Sequence, residues 1–373
     1  MQILYVAMKY DYGRPESGYS FEHYNFYDAL HHMGHDLLYF DFMTLMQERG
    51  QEWMNHRLLE IVRTEKPDLM FTVLFDNELD QKVIREISEN TNTLTINWFC
   101  DDHWRFDNFS IRWAPCFNWS VTTAESALPK YGRIGYRSVI KSQWACNPFL
   151  YRKSALPRNY DVTFVGKAHG SRSQVIRRLQ EAGIKVDVWG SGWESGRLSQ
   201  DEMIRVFNES RINLNLSNAS TPVYCRPQSL LQRNVKRLFS MTRDSLFKAE
   251  VSARADNKNQ HYPEQIKGRN FEVPGCGGFL LTGKAENLEA YYEVDKEVAC
   301  FDDMDDLIKK VKYYLCDEKL RETIAASGYQ RTLDEHTYVH RFTEIFQRLG
   351  LLPGSLQSAF NQNVRPGVTE EIR

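Results

Sequence analysis

The strongest constraint on the fold is a regular alternation of short apolar runs with longer amphipathic stretches. In the N-terminal part the strand-like runs are residues 2–8, 36–42, 68–75, 93–99 and 117–123. Helical patterns fill the gaps between them, for example at 20–33, 51–65 and 78–89. Because strands separated by helices are typical of a parallel sheet covered on both faces, this part of the chain is predicted to be a doubly wound α/β domain.

The alternation starts again after an interruption. Residues 141–160 contain two prolines and show no clean periodicity, so residues 146–160 are predicted to be an interdomain linker. Further strand-like runs follow at 161–166, 185–190, 211–217, 279–282 and 297–301. Helical patterns accompany them at 172–182, 199–209 and 267–276, and from about 303 to 349. The sequence therefore predicts a second Rossmann-like domain over 161–350, which faces the first, 1–145, across a cleft.

Two segments depart from this rhythm. Residues 218–266 contain a basic amphipathic stretch, 233–243, followed by a polar segment. This insertion is compatible with a lid, an oligomer contact, an acceptor-binding element or an extra surface helix, and its sequence does not decide between them. The tail, 351–373, has two prolines and little pattern, and we expect it to be loose or packed across the domain junction.

The composition argues against several classes of protein. A chain of 373 residues is too long for one ordinary core and fits two domains. The net charge of -2 and the pI of about 6.6 argue against a general affinity for nucleic acid or an anionic membrane, so nucleic acid is a partner only if it is the acceptor. No run of 18 apolar residues occurs and the first residues lack a signal-peptide pattern, so we expect no transmembrane helix and no export.

Neither the cysteines nor the acidic residues of the sequence favour a metal site. The seven cysteines are scattered and never form a CxxC pair, which favours a reducing, cytoplasmic setting. Residues 301–307 read FDDMDDL and resemble a carboxylate cluster for a metal. They stand directly before an amphipathic helix, however, where acidic side chains interact favourably with the helix N-terminus. We therefore predict a helix start there and no metal ligands.

The first candidate binding loop follows the first strand of the second domain. In open α/β sheets, anions bind where a strand ends and a helix begins, because unpaired N–H groups and the helix dipole attract them. The loop begins at Gly166 and opens a helix at Arg172. A diphosphate would fit the glycine backbone, with Lys167 or Arg172 neutralising its charge. The alternative is a solvated loop with a cation on its rim.

The second candidate is the run KGRNFEVPGCGGFLLT over residues 267–282. Arg269 and Glu272 are three residues apart, so they lie on one helical face and are able to form an intrahelical salt bridge. In the other interpretation, Glu272 accepts hydrogen bonds from the two ribose hydroxyls of a nucleotide. The run ends in a glycine-rich turn formed by Gly275, Gly277 and Gly278. Such glycines allow a close backbone approach and a tight turn into the next strand.

This run also carries a resemblance to a known family. Together with EVACFDDMDDLIKKVKYYL and IAASGYQRTLDEHTYVHRF, it resembles the C-terminal half of the spore-maturation CgeB-like family. That family is grouped with the glycosyl transferases group 1 and has the GT-B architecture. The resemblance covers about 161–217 and 267–346, and the segment WFCDDHWRF at 98–106 is similar to an aromatic-Asp-Asp segment in these proteins.

The resemblance implies that the C-terminal domain binds a nucleoside diphosphate sugar of the UDP or GDP type. Glu272 matches the expected ribose contact. Lys267 and Arg269 match basic positions near the phosphates, while Gly166 and Arg172 match the first loop of that domain. It further implies a metal-independent, retaining transfer without a cofactor other than the donor. The insertion departs from the compact family pattern and leaves the contacts to the base and to the acceptor open.

The acceptor side is expected in the N-terminal domain. The loop at 9–23 follows the first strand and contains Gly13 and Gly18, while Asp102 and His103 follow the fourth strand. In an inverting transfer, Asp102 or His103 would deprotonate the acceptor hydroxyl. In a retaining transfer, a donor phosphate oxygen is able to take that proton and these groups only position the acceptor. The alternative for the aspartates is a cap on a helix at 104–113.

These observations predict a glycosyltransferase that moves a sugar from a nucleoside diphosphate to a hydroxyl of an unidentified acceptor. Electrostatic stabilisation of the departing diphosphate would supply much of the catalysis. A sugar-nucleotide epimerase of the same fold is a rival that needs no acceptor. A protein that binds nucleotide sugars without turnover is another.

Overall fold

The computed structural model describes residues 1–216 and 264–352. The insertion predicted at 218–266, including the basic stretch 233–243, lies outside the described residues except at 264–266. The tail lies outside them from residue 353 onward. Within the described ranges, no helix is both long enough and apolar enough to span a membrane.

The first sheet consists of six parallel strands in the order β2-β1-β3-β4-β5-β6. Their bounds are Gln2–Val6 (β1), Asp36–Phe40 (β2), Leu69–Thr72 (β3), Leu94–Phe99 (β4), Trp119–Thr122 (β5) and Val139–Lys141 (β6). β3 and β4 are central, and nearly all their side chains are buried on both faces of the sheet, as continuous apolar runs require. The sequence pattern predicts five of these strands and misses β6, which has three residues and borders an irregular segment.

The second sheet has five parallel strands in the order β11-β10-β9-β7-β8. Their bounds are Tyr160–Val165 (β7), Asp187–Trp189 (β8), Ser210–Asn215 (β9), Leu280–Gly283 (β10) and Ala299–Phe301 (β11). Each corresponds to a strand-like run in the sequence. The predicted architecture of two doubly wound α/β domains is therefore confirmed.

Helices cover the faces of both sheets. In the first part of the chain they are Asp28–His32 (α1), Phe42–Arg49 (α2), Gln51–Glu65 (α3), Gln81–Asn90 (α4), Asp102–Arg105 (α5), Ile111–Trp113 (α6) and Leu128–Arg133 (α7). The second part has Arg172–Glu181 (α8), Gln200–Glu209 (α9), Arg269–Gly275 (α10), Met304–Cys316 (α11), Glu318–Glu335 (α12) and Tyr338–Arg348 (α13).

The acidic segment at 301–307 is the start of α11, as the sequence predicts. The Asp303 side chain accepts hydrogen bonds from the backbone N–H groups of Asp305 and Asp306, at 3.0 and 2.9 Å. This is an N-cap, which satisfies two of the amide groups that the first turn of a helix leaves without partners. The carboxylates therefore stabilise a helix end.

The last described helix, α13, returns to the first sheet. Phe342 packs against Phe26, Phe71 and Trp98, with ring centroids 5.7, 5.6 and 6.4 Å away. The chain crosses next to the linker, where the backbone N–H of Cys146 donates to the carbonyl of His336 at 2.9 Å. The sequence prediction placed residues up to 350 in the second domain. The amphipathic pattern of α13 indicates that the helix buries one face, but it does not indicate which sheet that face covers.

Candidate functional site

The carboxyl ends of the two sheets face each other. The side-chain amide of Gln265, in the second domain, donates to the carbonyl of Cys100 just after β4, at 2.7 Å. Arg197 of the second domain forms an ion pair of 2.7 Å with Asp11, in the loop after β1. These contacts bring the loops after β1 and β4 opposite the second domain, at the edge where open α/β sheets bind ligands.

Arg172 forms one wall of this cleft. Its guanidinium donates twice to the carbonyl of Leu216, at 3.2 and 3.0 Å, and once to the carbonyl of Lys167, at 3.0 Å. Its flat face lies over the Phe164 ring, 5.3 Å from the centroid. The guanidinium is thus fixed between the ends of β7 and β9. All three of these hydrogen bonds go to neutral carbonyl groups, so the positive charge is not compensated by them.

Three cations, Arg172, Lys267 and Arg269, lie close together in this wall. Burial and, to a smaller extent, Arg269 lower the pKa of Arg172 to about 10. Burial also lowers the pKa of Lys267; Asp101 opposes this shift and Arg172 adds to it. Within residues 1–216 and 264–352, neither Arg172 nor Lys267 forms an ion pair with a carboxylate, while the Lys267 ammonium contacts the side-chain oxygen of Gln265. The wall therefore holds half-buried positive charge that an anion would stabilise.

Glu272 is buried beside these cations. Its carboxylate accepts a hydrogen bond from the Tyr151 hydroxyl at 2.8 Å and one from Arg269, and its exposed fraction is 0%. The intrahelical pair that the sequence allows is therefore present, and it is a buried pair within α10. The ribose contact remains a prediction, because the carboxylate exposes no surface in this conformation.

The glycine-rich turn is required by protein packing. A β-carbon on Gly275 would lie 2.2 Å from the Cys146 sulfur, and one on Gly278 would lie 3.0 Å from the Phe207 carbonyl oxygen. Gly277 has a φ of +68°, in the left-handed region that favours glycine. The close backbone approach predicted at this turn does exist, but the neighbours are residues of the linker and of α9. Donor binding by these glycines is thus not needed to explain them.

The loop from Gly166 is also held by protein. Its N–H donates to the Trp189 carbonyl, and its carbonyl accepts from the Trp193 indole, both at 2.8 Å. A β-carbon on Gly190 would lie 2.3 Å from the Gly166 oxygen, so the two loops touch backbone to backbone. Lys167, the other predicted phosphate ligand, is exposed on the rim of the cleft.

Asp102 points into its own domain, in contrast to the prediction of a catalytic base. Its two carboxylate oxygens accept hydrogen bonds from Ser110 and, at 2.7 Å, from the Tyr131 hydroxyl, and it is fully buried. Burial raises its pKa to about 6. Both oxygens are occupied by groups of the same domain, so Asp102 holds the segment after β4 in place. The predicted side-chain cap is not formed: Asp101 is the N-cap residue of α5 and its side chain makes no capping bond, while Asp102 is the first residue of that helix.

His103 faces the cationic wall. It is only 7% exposed, and neither ring nitrogen has a hydrogen-bond partner in the described ranges. Burial and, to a smaller extent, Lys267 lower its pKa to about 4, against the opposing effect of Asp101. The ring is therefore neutral at pH 7. Since buried polar atoms without partners are costly, this position favours a ligand that uses one of the two nitrogens.

The two glycines predicted on the acceptor side have different roles. Gly13 has a φ of +68°, and a β-carbon there would lie 2.2 Å from the Met43 side chain, so it packs against α2. Gly18 has a φ of +79° and no atom within 4 Å of the position of a β-carbon. The first is needed for packing and the second for the turn. They shape the loop after β1.

Two carboxyl groups escaped the sequence prediction. Burial and, to a smaller extent, the nearby Asp11 and Asp101 raise the pKa of Glu22 to about 7. Glu264 is close enough to Lys267 to oppose the lowering of its pKa. Glu22 stands within the loop at 9–23 and Glu264 three residues before the run at 267–282, so both were adjacent to the motifs considered. Tertiary packing places these two carboxyl groups beside the cleft, and the sequence pattern does not show that packing.

Comparison with known proteins bears on the second domain first. A family model described as glycosyl transferase-like matches residues 172–347, from α8 almost to the end of α13. The match is to this broad family, and the resemblance to the CgeB-like group remains a prediction. No curated protein matches the sequence at a significant level.

Solved structures resemble the whole described architecture. HepE from Anabaena, solved in complex with UDP-glucose, gives a TM-score of 0.60 at 12% identity over 94% of this chain and 100% of that one. Sucrose-phosphate synthase from Thermosynechococcus elongatus gives 0.59 at 9% identity over 93% and 98%. A glycosyltransferase from Rickettsia africae gives 0.58 at 9% identity over 95% and 99%. The chain therefore has the GT-B fold, with two Rossmann-like domains, and its segment 172–347 is similar to the glycosyl transferase-like family.

Proposed function

We propose that this chain transfers a sugar from a nucleoside diphosphate sugar of the UDP or GDP type to a hydroxyl of an acceptor. The observation that carries the proposal is the pair of half-buried cations, Arg172 and Lys267, which lack a carboxylate partner in the described ranges and face the loops of the other domain. A diphosphate supplies the missing negative charge. HepE, which shares the fold, was solved with UDP and glucose, and this supports the choice of donor class.

The two cations also explain how the bond to the leaving group breaks. As the sugar departs, negative charge develops on the diphosphate oxygen, and fixed positive groups in a water-poor site stabilise this charge more than that of the intact donor. Arg172 is pre-oriented for this task by its hydrogen bonds to the ends of β7 and β9. The proposed reaction therefore requires no metal ion and no further cofactor.

We assign the acceptor side to the loops after β1 and β4. In the retaining reaction proposed here, the acceptor oxygen bonds to the anomeric carbon, the bond from that carbon to the diphosphate breaks, and the acceptor proton passes to the departing diphosphate oxygen. His103, neutral at pH 7, accepts a hydrogen bond from the acceptor hydroxyl and positions it. In an inverting reaction the same nitrogen would be the base. Asp102 holds this segment in place.

Glu272 is the proposed ribose contact. It would have to exchange the hydrogen bond from Tyr151 for those from the ribose hydroxyls, while Arg269 keeps its charge paired. We also propose a cytoplasmic setting, which the scattered cysteines and the sugar-nucleotide donor both favour.

Thermal unfolding with UDP, GDP, ADP, dTDP and CMP tests the donor site. A ligand at about 100 times its dissociation constant adds roughly 2.7 kcal/mol to the stability of the folded protein. We expect one diphosphate to stabilise the wild type and to stabilise Glu272→Ala much less. If none of the five stabilises the wild type, the proposed function is wrong. If the best diphosphate stabilises both proteins equally, the donor site stands and the ribose role of Glu272 does not.

Turnover separates transfer from the rival functions. With the matching sugar nucleotide and no acceptor, a glycosyltransferase releases free sugar slowly by transfer to water, an epimerase interconverts two sugar nucleotides, and a binding protein does neither. Chromatography of the nucleotide products distinguishes these three outcomes. Release of nucleoside diphosphate that rises on addition of an acceptor supports the proposal.

A further inference from the structure

An exposed aromatic patch lies at the carboxyl edge of the first sheet. It consists of Tyr12 in the loop after β1, the half-buried Phe75 in the loop after β3, and Trp104 in α5, which follows β4. The Tyr12 side chain is 54% exposed and that of Trp104 is 36% exposed. Tyr12 meets Phe75 edge to face, with ring centroids 5.5 Å apart and an interplanar angle of 82°. Large rings on three adjacent segments at a ligand-binding edge are unusual for a surface that only contacts water.

Arg105 joins the two ends of the patch. Its guanidinium donates to the Phe75 carbonyl at 2.7 Å and contacts Asp76 at 3.4 Å. The same group lies 5.6 Å from the centroid of the Trp104 ring, within the range of a cation–π contact. Arg105 thus ties α5 to the loop after β3 before any ligand arrives. Such preorganisation lowers the entropic cost of binding.

Tyr12 is held in a backbone conformation that its side chain does not favour. Its φ is +52°, in the left-handed region where residues other than glycine are uncommon. The loop keeps this conformation even though more than half of the tyrosine side chain faces solvent. Packing of the ring in the core therefore does not account for a tyrosine at this position.

The surroundings of the patch indicate the charge of its ligand. Asp11, next to Tyr12, is paired with Arg197 across the cleft at 2.7 Å, so the patch stands at the cleft entrance. Partial burial raises the pKa of Tyr12, the nearby carboxylates of Asp11, Glu22 and Asp101 also raise it, and Arg197 opposes them. Asp11 is neutralised by Arg197, but Glu22 and Asp101 form no ion pair among the described residues. These two carboxylates repel phosphate-rich ligands, and they accept hydrogen bonds from hydroxyl groups.

We propose that the aromatic patch binds the acceptor and that this acceptor is a neutral saccharide. A pyranose ring has an apolar face of C–H groups and a rim of hydroxyls, which match an aromatic surface bordered by carboxylates. The patch lies on the same domain as His103, so a saccharide stacked on it extends a hydroxyl into the cleft. This inference rests on the proposed function, because it names the acceptor class of that reaction.

Binding of neutral hexasaccharides to the full chain tests the inference without requiring turnover. The probes are maltohexaose, cellohexaose, chitohexaose and mannohexaose, with hexagalacturonate and the oligonucleotide dT6 as anionic comparators. Saturation-transfer NMR detects the bound sugars, with UDP present, and UDP binding is measured separately by thermal shift. The variants are Trp104→Ala and Tyr12→Asn, since asparagine tolerates the left-handed backbone better than most residues.

Tyr313→Ala is the matched control, because Tyr313 is a 56% exposed ring on α11, which belongs to the second domain. We expect at least one neutral hexasaccharide to bind, each patch variant to weaken it by about tenfold, and the control to leave it unchanged. UDP binding stays the same in all three variants. If the wild type binds UDP but none of the four neutral sugars, or prefers an anionic comparator, the inference is wrong and the proposed function stands. Equal sugar binding by the wild type and both patch variants also overturns it, whereas absence of UDP binding counts against the donor site.

Discussion

We expect that replacing Lys267 by methionine weakens the binding of a nucleoside diphosphate and leaves the protein without nucleotide at least as stable. Lys267 is a half-buried cation, and burial lowers its pKa. Its charged form is therefore less favourable in the folded protein than in the unfolded chain at neutral pH. Methionine keeps an apolar side chain of similar length and removes the charge that folding has to desolvate. The contribution of Lys267 thus exists only in the complex.

The size of the effect follows from the charge-assisted contact that is lost. Such a contact contributes about 1.5–3 kcal/mol, which weakens binding about 10- to 150-fold. At a UDP concentration of about 100 times the wild-type dissociation constant, the wild type gains roughly 2.7 kcal/mol and the variant gains about 0.3–1.4 kcal/mol. For a chain of 373 residues, this corresponds to an increase in Tm of about 3 °C for the wild type and about 2 °C or less for the variant.

Differential scanning fluorimetry across a UDP titration measures both quantities. Lys296→Met is the matched control, because Lys296 is an exposed lysine that pairs with Glu293. We expect the control to keep the full UDP shift. The reasoning is refuted if Lys267→Met lowers the Tm measured without UDP by several degrees and retains the wild-type shift, because Lys267 would then stabilise the fold rather than the complex.

Packing, titration and the absence of a metal requirement lead to four further predictions. Gly275→Ala costs about 1–3 kcal/mol because its β-carbon would meet the Cys146 sulfur at 2.2 Å; urea unfolding shows whether adding Cys146→Ala restores part of the loss. Phe342→Ala costs about 3–5 kcal/mol, measured in the same way. Glu22 contributes a loss of stability as the pH rises from about 5 to 7, because its pKa is about 7 in the folded protein and 4.5 for an unperturbed glutamate; the stability of Glu22→Gln, measured by melts across this range, lacks that contribution. EDTA leaves the transfer rate unchanged, because side-chain cations neutralise the leaving group.

Each of these has a result that contradicts it. A Gly275→Ala protein as stable as the wild type would mean that the linker moves away at little cost. A small loss for Phe342→Ala would mean that α13 is not anchored on the first sheet. Identical pH slopes for the wild type and Glu22→Gln would remove Glu22 as the titrating group, and loss of transfer in EDTA that magnesium restores would show a metal requirement.

Periodicity predicted the strands and the two-domain architecture because continuous apolar runs and turn residues are local properties. The same local reasoning placed α10 within a residue or two of Arg269–Gly275. It missed β6, whose three residues form a strand only through pairing with β5. It also could not assign α13 to the first sheet, because an amphipathic helix buries its apolar face equally well against either domain.

At the site, residue type was easier to predict than the direction of a side chain. Asp102 and His103 are neighbours in sequence, yet Asp102 is hydrogen-bonded inside its domain and His103 faces Lys267. Glu272 was recognised as a carboxylate near cations, but its burial by Tyr151 depends on the linker, which is distant in sequence. Sequence spacing limits which residues are able to meet on one element, and tertiary packing decides which of them do.

The two walls of the cleft carry charged groups of opposite sign, and each wall favours a different kind of ligand group. On the second domain, burial lowers the pKa values of Arg172 and Lys267, so these cations gain from an anion. On the first domain, burial raises the pKa of Glu22, so this group gains from a hydroxyl donor or a proton. The carboxyl group of Glu22 would repel a diphosphate, and a neutral polyol would leave the charges of Arg172 and Lys267 uncompensated. In the proposed reaction, the diphosphate of the sugar nucleotide lies at the cations of the second domain. The acceptor hydroxyl lies on the side of the first domain, and the two substrates meet at His103.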